Sequence, residues 1–395
     1  MNSLIKQILA VIGMNIRSLP QRFWTSLTTM LSIAVVVGVL LAFLAMSDGF
    51  DKTLNSSGAD DVAVILNAGS QAELNSGLSG EVVKIVTDAP GIAKNENGPI
   101  TSPELYVIVD GIKKTSLTEV NLPLRGLSLN GLKLRNNVKI IQGRMFQPGK
   151  NELVVGASIL DQFNGFDLGR QVSLGGVTWT VVGVFDAAGS VFASEIWADY
   201  RAVQTQFNRG NSFQVVRVKL ETAGDLSKIE AFIKADPRLS MDVTTESEYF
   251  SEQSSGVAVL MGLGWGMAIF MAFGALAGAL NTMYTSVAAR SVEIATLRAI
   301  GFKGIAAFCG TMVESVVLAF IGGVLGTLAV FVLFDGITTS TMGASFSQIV
   351  FSFDLSASAF ITGIQFALII GLVGGFFPAW RASRIPVVVA FTAST

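Results

Sequence analysis

Four long stretches of this chain carry almost no charge, and they fall in the order one, a gap of about two hundred residues, then three. The first is Trp24 to Ser47, and the second lies in the charge-free interval between Glu252 and Arg290, with its apolar centre near residues 257 to 281. The third covers roughly 305 to 334, interrupted only by Glu314, and the fourth is the charge-free run from Leu355 to Trp380. A helix rises about 1.5 Å per residue, so about 20 apolar residues cross the roughly 30 Å of bilayer hydrocarbon. All four stretches are long enough. Between the first and second the pattern changes to short apolar runs bounded by Gly, Asn, Asp or Pro, which read as strands at Asp61 to Leu66, Leu105 to Val109, Glu152 to Val155, Val177 to Phe185 and Phe213 to Leu220. Helical patterns lie between several of them. Ser79 is placed to cap a helix bearing Val82, Val83 and Val86, and Asp225 to cap one through Ile229, Phe232 and Ile233.

The expected fold is an α-helical membrane protein with four transmembrane helices and a large mixed α+β extracytoplasmic domain inserted between helices 1 and 2. The boundaries that follow are an amphipathic N-terminal helix at 1–23, spans at 24–47, 253–283, 305–334 and 355–380, and the external domain at 48–252. Within that domain the Gly-rich stretch at about 121–204 reads as an inserted subdomain. A loop at 284–304, a short external loop at 335–354 and a tail at 381–395 complete the chain.

Lysine and arginine near the spans set the orientation, because they favour the cytoplasmic side. Lys6, Arg17 and Arg22 precede the first span, Arg290, Arg298 and Lys303 lie between the second and third, and Arg381 and Arg384 follow the fourth. The loop between spans three and four has only Asp335 and Asp354. Both termini are therefore expected in the cytoplasm, and the segment from Asp48 to Glu252 outside it. That segment holds 25 acids against 19 bases and suggests no nucleic-acid partner. A cleaved signal peptide is the alternative for the first stretch, but its uncharged run exceeds a typical apolar core and no clear small-x-small cleavage site follows before Asp48-Gly49-Phe50, which favours a retained anchor.

Composition narrows the chemistry further. The chain has no histidine and one cysteine, Cys309, so Ser-His-Asp catalysis, a disulfide within the chain and a Cys-rich zinc site are excluded. No catalytic, metal or cofactor-binding set is expected. The phosphate loop G-x-x-x-x-G-K-[ST] does not occur, so any ATP must be bound by another polypeptide.

The segment Arg290-Ser-Val-Glu-Ile-Ala-Thr-Leu-Arg-Ala-Ile-Gly301 reads as a short amphipathic helix that Gly301 stops, with Ile294 and Leu297 on one face and Glu293 and Arg298 near another. An ordinary solvated connector has the same physical signature. The order Arg290, Glu293, Ile294, Leu297, Arg298, Ala299, Gly301, followed by a span bearing Glu314, resembles the coupling segment R-x-x-E-I-x-x-L-R-A-x-G of the MacB-like and FtsX-like permeases, the type VII ABC transporters. A second likeness is the glycine-rich exit Gly374 to Ala382 with Pro378 and Arg381, followed by Pro386 to Ala390, although Phe391-Thr392 stands where the family often has Leu-Arg. Weaker likenesses are Gly143-Arg144-Met-Phe146, Glu152 to Gly156, Leu168-Gly169 and Val182 to Phe185.

The resemblance implies a bacterial inner-membrane permease subunit that converts ATP-driven closure of a separate cytoplasmic ABC ATPase dimer into motion of its external domain, with ATP and Mg held by that partner. A second permease, identical or related, and a periplasmic membrane-fusion or adaptor protein are the other implied partners, with a hydrophobic substrate exported or handed over. Lipoprotein release of the LolC/LolE type and FtsX-like activation of a cell-wall hydrolase are the alternatives within the family. Arg290, Glu293, Ile294, Leu297, Arg298 and Gly301 are the implied coupling residues.

Glu314 would lie about 14 Å along its helix, and an intramembrane carboxylate is costly to bury. Three readings stay open for it: proton-coupled chemistry, a hydrogen bond to a neighbouring helix, and a part in coupling. No basic partner is evident from the sequence. The pairs Gly262/Gly266, Gly274/Gly278, Gly322/Gly326 and Gly371/Gly375 have the G-x-x-x-G spacing that lets helices approach, within this chain or across a dimer. Leu4, Ile5, Ile8, Leu9, Ile12 and Ile16 make an apolar stripe expected to lie on membrane lipids.

Overall fold

The computed structural model describes residues 2–96, 98–334, 337–342, 348–353 and 355–388. Asp335, Asp354 and the Phe391-Thr392 pair lie outside the described residues. The chain divides into two compact units, one holding Met1–Asp48, Val259–Ile337 and Phe353–Thr395, the other Gly49–Ala258 and Thr338–Ser352.

The first unit is helical. α1 (Asn2–Ser18) is joined by a 3-10 turn to α2 (Phe23–Asn55). The second unit then supplies β1 (Val62–Asn67), β2 (Leu78–Ser79), α3 (Gly80–Thr87), β3 (Lys94–Asn95), β4 (Gly98–Pro99), β5 (Thr101–Ile112), β6 (Glu119–Leu127), β7 (Lys139–Gly143) and β8 (Glu152–Gly156). It continues through α4 (Ala157–Gln162), β9 (Gln171–Leu174), β10 (Val177–Asp186), β11 (Ile196–Asp199), α5 (Tyr200–Gln206), β12 (Ser212–Phe213), β13 (Val215–Lys219), α6 (Leu226–Ala235) and β14 (Met241–Thr245). α7 (Glu246–Ala289), α8 (Ser291–Ala299) and α9 (Gly304–Phe334) follow, then the hairpin β15 (Thr338–Met342) and β16 (Gln348–Ser352), and α10 (Ala357–Ser383). Among the described residues, four helices are long and apolar enough to cross a membrane, and the large mixed-sheet domain lies between the first and the second of them in the chain.

Packing in the helical unit depends on glycine. A Cβ on Gly322 would lie 2.7 Å from the Met30 carbonyl, one on Gly326 would meet Ala34, and ones on Gly371 and Gly375 would meet Ala319 and Ser315. These positions let α9 close on α2 and α10 on α9, burying Ile33, Val37, Leu41, Ala319 and Ala367. The α7 glycines differ. A Cβ on Gly262, Gly266, Gly274 or Gly278 would meet nothing within 4 Å.

The sheet of the second unit runs β14-β1-β13-β5-β6-β11-β8-β10-β7, with β9 paired to β10. β5 is the splice: Thr101 to Glu104 pair with β13, whereas Leu105 to Ile112 pair with β6. The strands from β6 to β11 therefore all fall on one side of it. β8 runs parallel to β10, and β11 parallel to β6, which requires crossovers rather than hairpins. Alternation gives the sheet two unlike faces. Leu105, Val107 and Val109 of β5 join Leu122, Leu124, Val216 and Val218 in an apolar layer closed by Val83 and Val86 of α3 and Ile229 and Ile233 of α6. On the opposite face the same strands turn Glu104, Arg125 and Arg217 inward, all with 2% exposure or less.

Local capping follows the sequence with one correction. The Ser79 hydroxyl accepts from the Val82 N–H, as expected. Asp225 does not cap α6. Thr222 and Asp225 form a reciprocal capping box at the preceding 3-10 turn, because the turn starts three residues before the helix and Asp225 is its N3 residue.

Candidate functional site

Where α7 meets α8 the helix breaks for one residue, Arg290, which leaves helical geometry and accepts the Ile294 N–H with its carbonyl. α8 then runs for nine residues and ends on Gly301 at φ +101, which suits glycine. The Gly301 and Phe302 N–H groups donate to the Arg298 and Leu297 carbonyls, a Schellman close that turns the chain into α9.

Arg290 is the hub of this elbow. Its guanidinium is 8% exposed and donates to Asn15 Oδ1 of α1 at 2.6 Å, to Glu314 Oε2 of α9 at 3.3 Å and to Glu293 Oε2 at 3.2 Å. Three helices are thus tied to one side chain. Glu314 does have a basic partner, which corrects the sequence reading: Arg290 stands 24 residues away and reaches it only because α9 folds back against the end of α7. Nearby, Arg22 donates to the Ser286 hydroxyl at 2.6 Å. Burying a paired charge is tolerable where an unpaired one is not, so Arg290 and Glu314 require each other.

The remaining expected residues divide by exposure. Ile294 and Ala295 are buried against Val287, Ala307, Ala382 and Ile385, and Leu297 is half-buried. Arg298 donates to the Ile385 carbonyl, fixing α8 to the chain after α10. Glu293 is 60% exposed at its side chain. Pro378 is buried inside α10, which continues five residues beyond it, and Arg381 lies over the Tyr284 ring at 5.7 Å. Pro386 is exposed. The outward row of α8 is Val292, Thr296, Ala299 and Ile300, with Ile300 71% exposed. Such apolar exposure on a helix that has already buried its other face marks a surface able to receive a partner.

Asn15 and Arg22 are members of the elbow that the sequence does not single out. One signal points to the first: Asn15 follows Val11 by four positions, and this pair forms the buried row of α1, with Val11 filling the space above Gly310. The apolar stripe on the other side of α1, Ile5, Leu9 and Ile16, is exposed. No group of His, Cys, Asp and Glu among the described residues is arranged to hold a metal.

Residues 26–236 match the family of MacB-like periplasmic core domains, and residues 265–387 match the FtsX-like permease C-terminal family. The chain is 24% identical over 403 residues to YvrN of Bacillus subtilis (strain 168), an uncharacterized ABC transporter permease, covering 91% of this chain and 93% of that one. It is 23% identical over 398 residues to the macrolide export ATP-binding/permease protein MacB of Bdellovibrio bacteriovorus, covering 90% of this chain and 57% of that protein. The chain therefore spans little more than half the length of that relative. Among solved structures, the periplasmic region of MacB from Actinobacillus actinomycetemcomitans aligns with a TM-score of 0.38 at 14% identity, over 50% of this chain and 94% of that one.

Proposed function

The chain belongs to the MacB-like and FtsX-like family of ABC transporter permeases, and on that premise we propose that it is a non-catalytic permease subunit that turns closure of a separate ATPase dimer into motion of its external domain. The observation that carries this reading is the elbow: α8 offers an outward row of Val292, Thr296 and Ile300, while Arg290 at its base binds α1, α8 and α9 together. A push on α8 cannot be absorbed by one helix alone. The ATPase docks on that row in this reading, with α1 and the tail beside it, and the basic residues around the elbow face the cytoplasm of a bacterial inner membrane.

The α7 glycine face is left for a second permease, identical or related. Work on the substrate takes place outside the bilayer, since the one charged residue of the four spans, Glu314, is taken by Arg290 and the rest offers little to line a polar path. A hydrophobic substrate passed to an external adaptor fits that arrangement better than conduction does. Detergent-solubilised pull-down of the tagged full chain from its native membrane, with mass spectrometry of its companions, tests the reading. Recovery of a phosphate-loop ATPase supports it, and Glu293→Lys or Arg298→Glu is expected to retain insertion while uncoupling ATP hydrolysis from transport. Reproducible recovery of the chain without an ATPase overturns it.

A further inference from the structure

The charged face of the sheet is a closed ionic layer. Arg125 donates to Glu73 at 2.7 Å, to Glu104 at 2.9 Å and with two nitrogens to Glu195 at 2.8 and 2.6 Å. Arg135 grips Glu104 with both terminal nitrogens, at 2.8 and 2.7 Å, and Arg217 binds Glu73 and Glu246. Aromatic rings line the layer: Arg135 lies over Phe192 and Trp197, Arg217 over Phe192 and Phe250, and Arg125 over Tyr106. Every one of these charged groups is buried.

Two features make the layer more than a piece of core. First, α7 enters it by one row of its first turn: Glu246 on Arg217, Tyr249 receiving the Glu73 N–H at 3.4 Å, and Phe250 edge-on to Phe192 at 5.9 Å. These are positions i, i+3 and i+4, one face of the helix. Second, the layer holds four carboxylates, Glu73, Glu104, Glu195 and Glu246, against three guanidiniums, Arg125, Arg135 and Arg217. One carboxyl is in excess. Glu246 is its member on α7, the rest lying on or beside the sheet.

We propose that the Arg217–Glu246 contact is a releasable joint between the sheet and α7, closed when Glu246 carries a proton and loosened when it is ionised, so that Arg217 and Glu246 act as positioning residues for the movement of α7. This rests on the coupling reading above only for what the movement is used for. An apolar joint would resist parting in proportion to its area, whereas charged groups regain hydration as they separate, so that a buried ion pair contributes little net stability against an apolar alternative.

The groups facing Glu246 decide the direction of the effect. Burial pushes its carboxyl upward, Arg217 of β13 and Arg135 after β6 pull it down, and Glu104 of β5 and Glu73 after β1 push it up again. The net direction is upward, while Glu73 and Glu104, each facing two or more guanidiniums, are held below the ordinary range. Arg217 stays charged because Glu73 and Glu104 face it as well as Glu246. A carboxyl raised on joining contributes its full holding strength below the ordinary glutamate range and loses it as pH rises through the raised value. The joint is therefore expected to be tighter at pH 4.5, within the ordinary glutamate range, than at pH 8.

Hydrogen exchange of the amides of residues 246–250, in the full chain in lipid nanodiscs and corrected for intrinsic rates, reads this directly. Wild type should lose protection between pH 4.5 and pH 8, since closing the joint raises the proton affinity of the carboxyl. Glu246→Gln, which cannot ionise, should be equally protected at both. Glu248→Gln, in the same turn but exposed, should keep the wild-type dependence and decides the matter should the Glu246→Gln variant fold poorly. Equal wild-type protection at the two pH values, or the same dependence in Glu246→Gln, overturns the proposal. An absent ATPase in the pull-down with the exchange result intact would overturn the coupling reading and leave the joint.

Discussion

The two ends of α7 are held by arginine in opposite ways. At the elbow one cation, Arg290, serves a buried Glu314, an exposed Glu293 and Asn15. At the sheet three cations share four carboxylates, and each of Glu73, Glu104 and Arg217 has more than one partner. The elbow has one central rivet, Arg290, with Arg22 and Arg298 bonded beside it. The layer distributes its bonds, so its weakest member can let go while the others hold the sheet.

The comparison can be broken most severely at Arg217. Arg217→Ala leaves Glu73, Glu104 and Glu246 short of a partner and should lower domain stability by about 3–5 kcal/mol, seen as an earlier unfolding midpoint of the detergent-solubilised chain. Arg290→Ala should cost about 3 kcal/mol by stranding Glu314, and the readout is faster maleimide labelling of Cys309, half-buried on α9. The rivet assignment requires that Arg290→Met with Glu314→Gln label more slowly than Arg290→Met alone. Equal rates would refute it.

A steric probe comes next. A Cβ on Gly58 would overlap the Ser247 backbone in the first turn of α7, so Gly58→Ala should destabilise by about 1–3 kcal/mol and raise exchange at residues 246–250. Glu293→Gln sharpens the contrast from the small side. Its partner contact is solvent-exposed on the Glu293 side, so a loss below about 1 kcal/mol is expected, with any transport defect arising from docking rather than folding.

The spans were legible because few structures besides a membrane crossing use a charge-free run of that length. The elbow was partly legible. Its residues stand in one short segment, but the family likeness enlists Ile294 for coupling although the fold buries it, and nothing in the sequence joins Glu314 to the arginine 24 positions away. The ionic layer was invisible. Ser102, Glu104 and Tyr106 alternate with Leu105, Val107 and Val109, which announces a strand with a polar face, and such a face is ordinarily wet. What roofs it, Arg135, Phe192, Glu195 and the start of α7, comes from segments far along the chain, each supplying one or two groups. Periodicity shows which side of a strand a residue takes, but it carries no record of what closes over that side.

The strand order also has a consequence for how the protein is made. β1 pairs with nothing local: Val64 waits for Arg217 and then for Thr244, about 180 residues later. At about 5–20 residues per second, synthesis takes roughly 10–40 seconds to deliver that last strand. Through that interval Val62 to Leu66, a run of five apolar residues, hangs from a helix already committed to the membrane with its hydrogen-bonding edges open. Synthesis must therefore reach β14, at the threshold of the second span, before the sheet can close over β1.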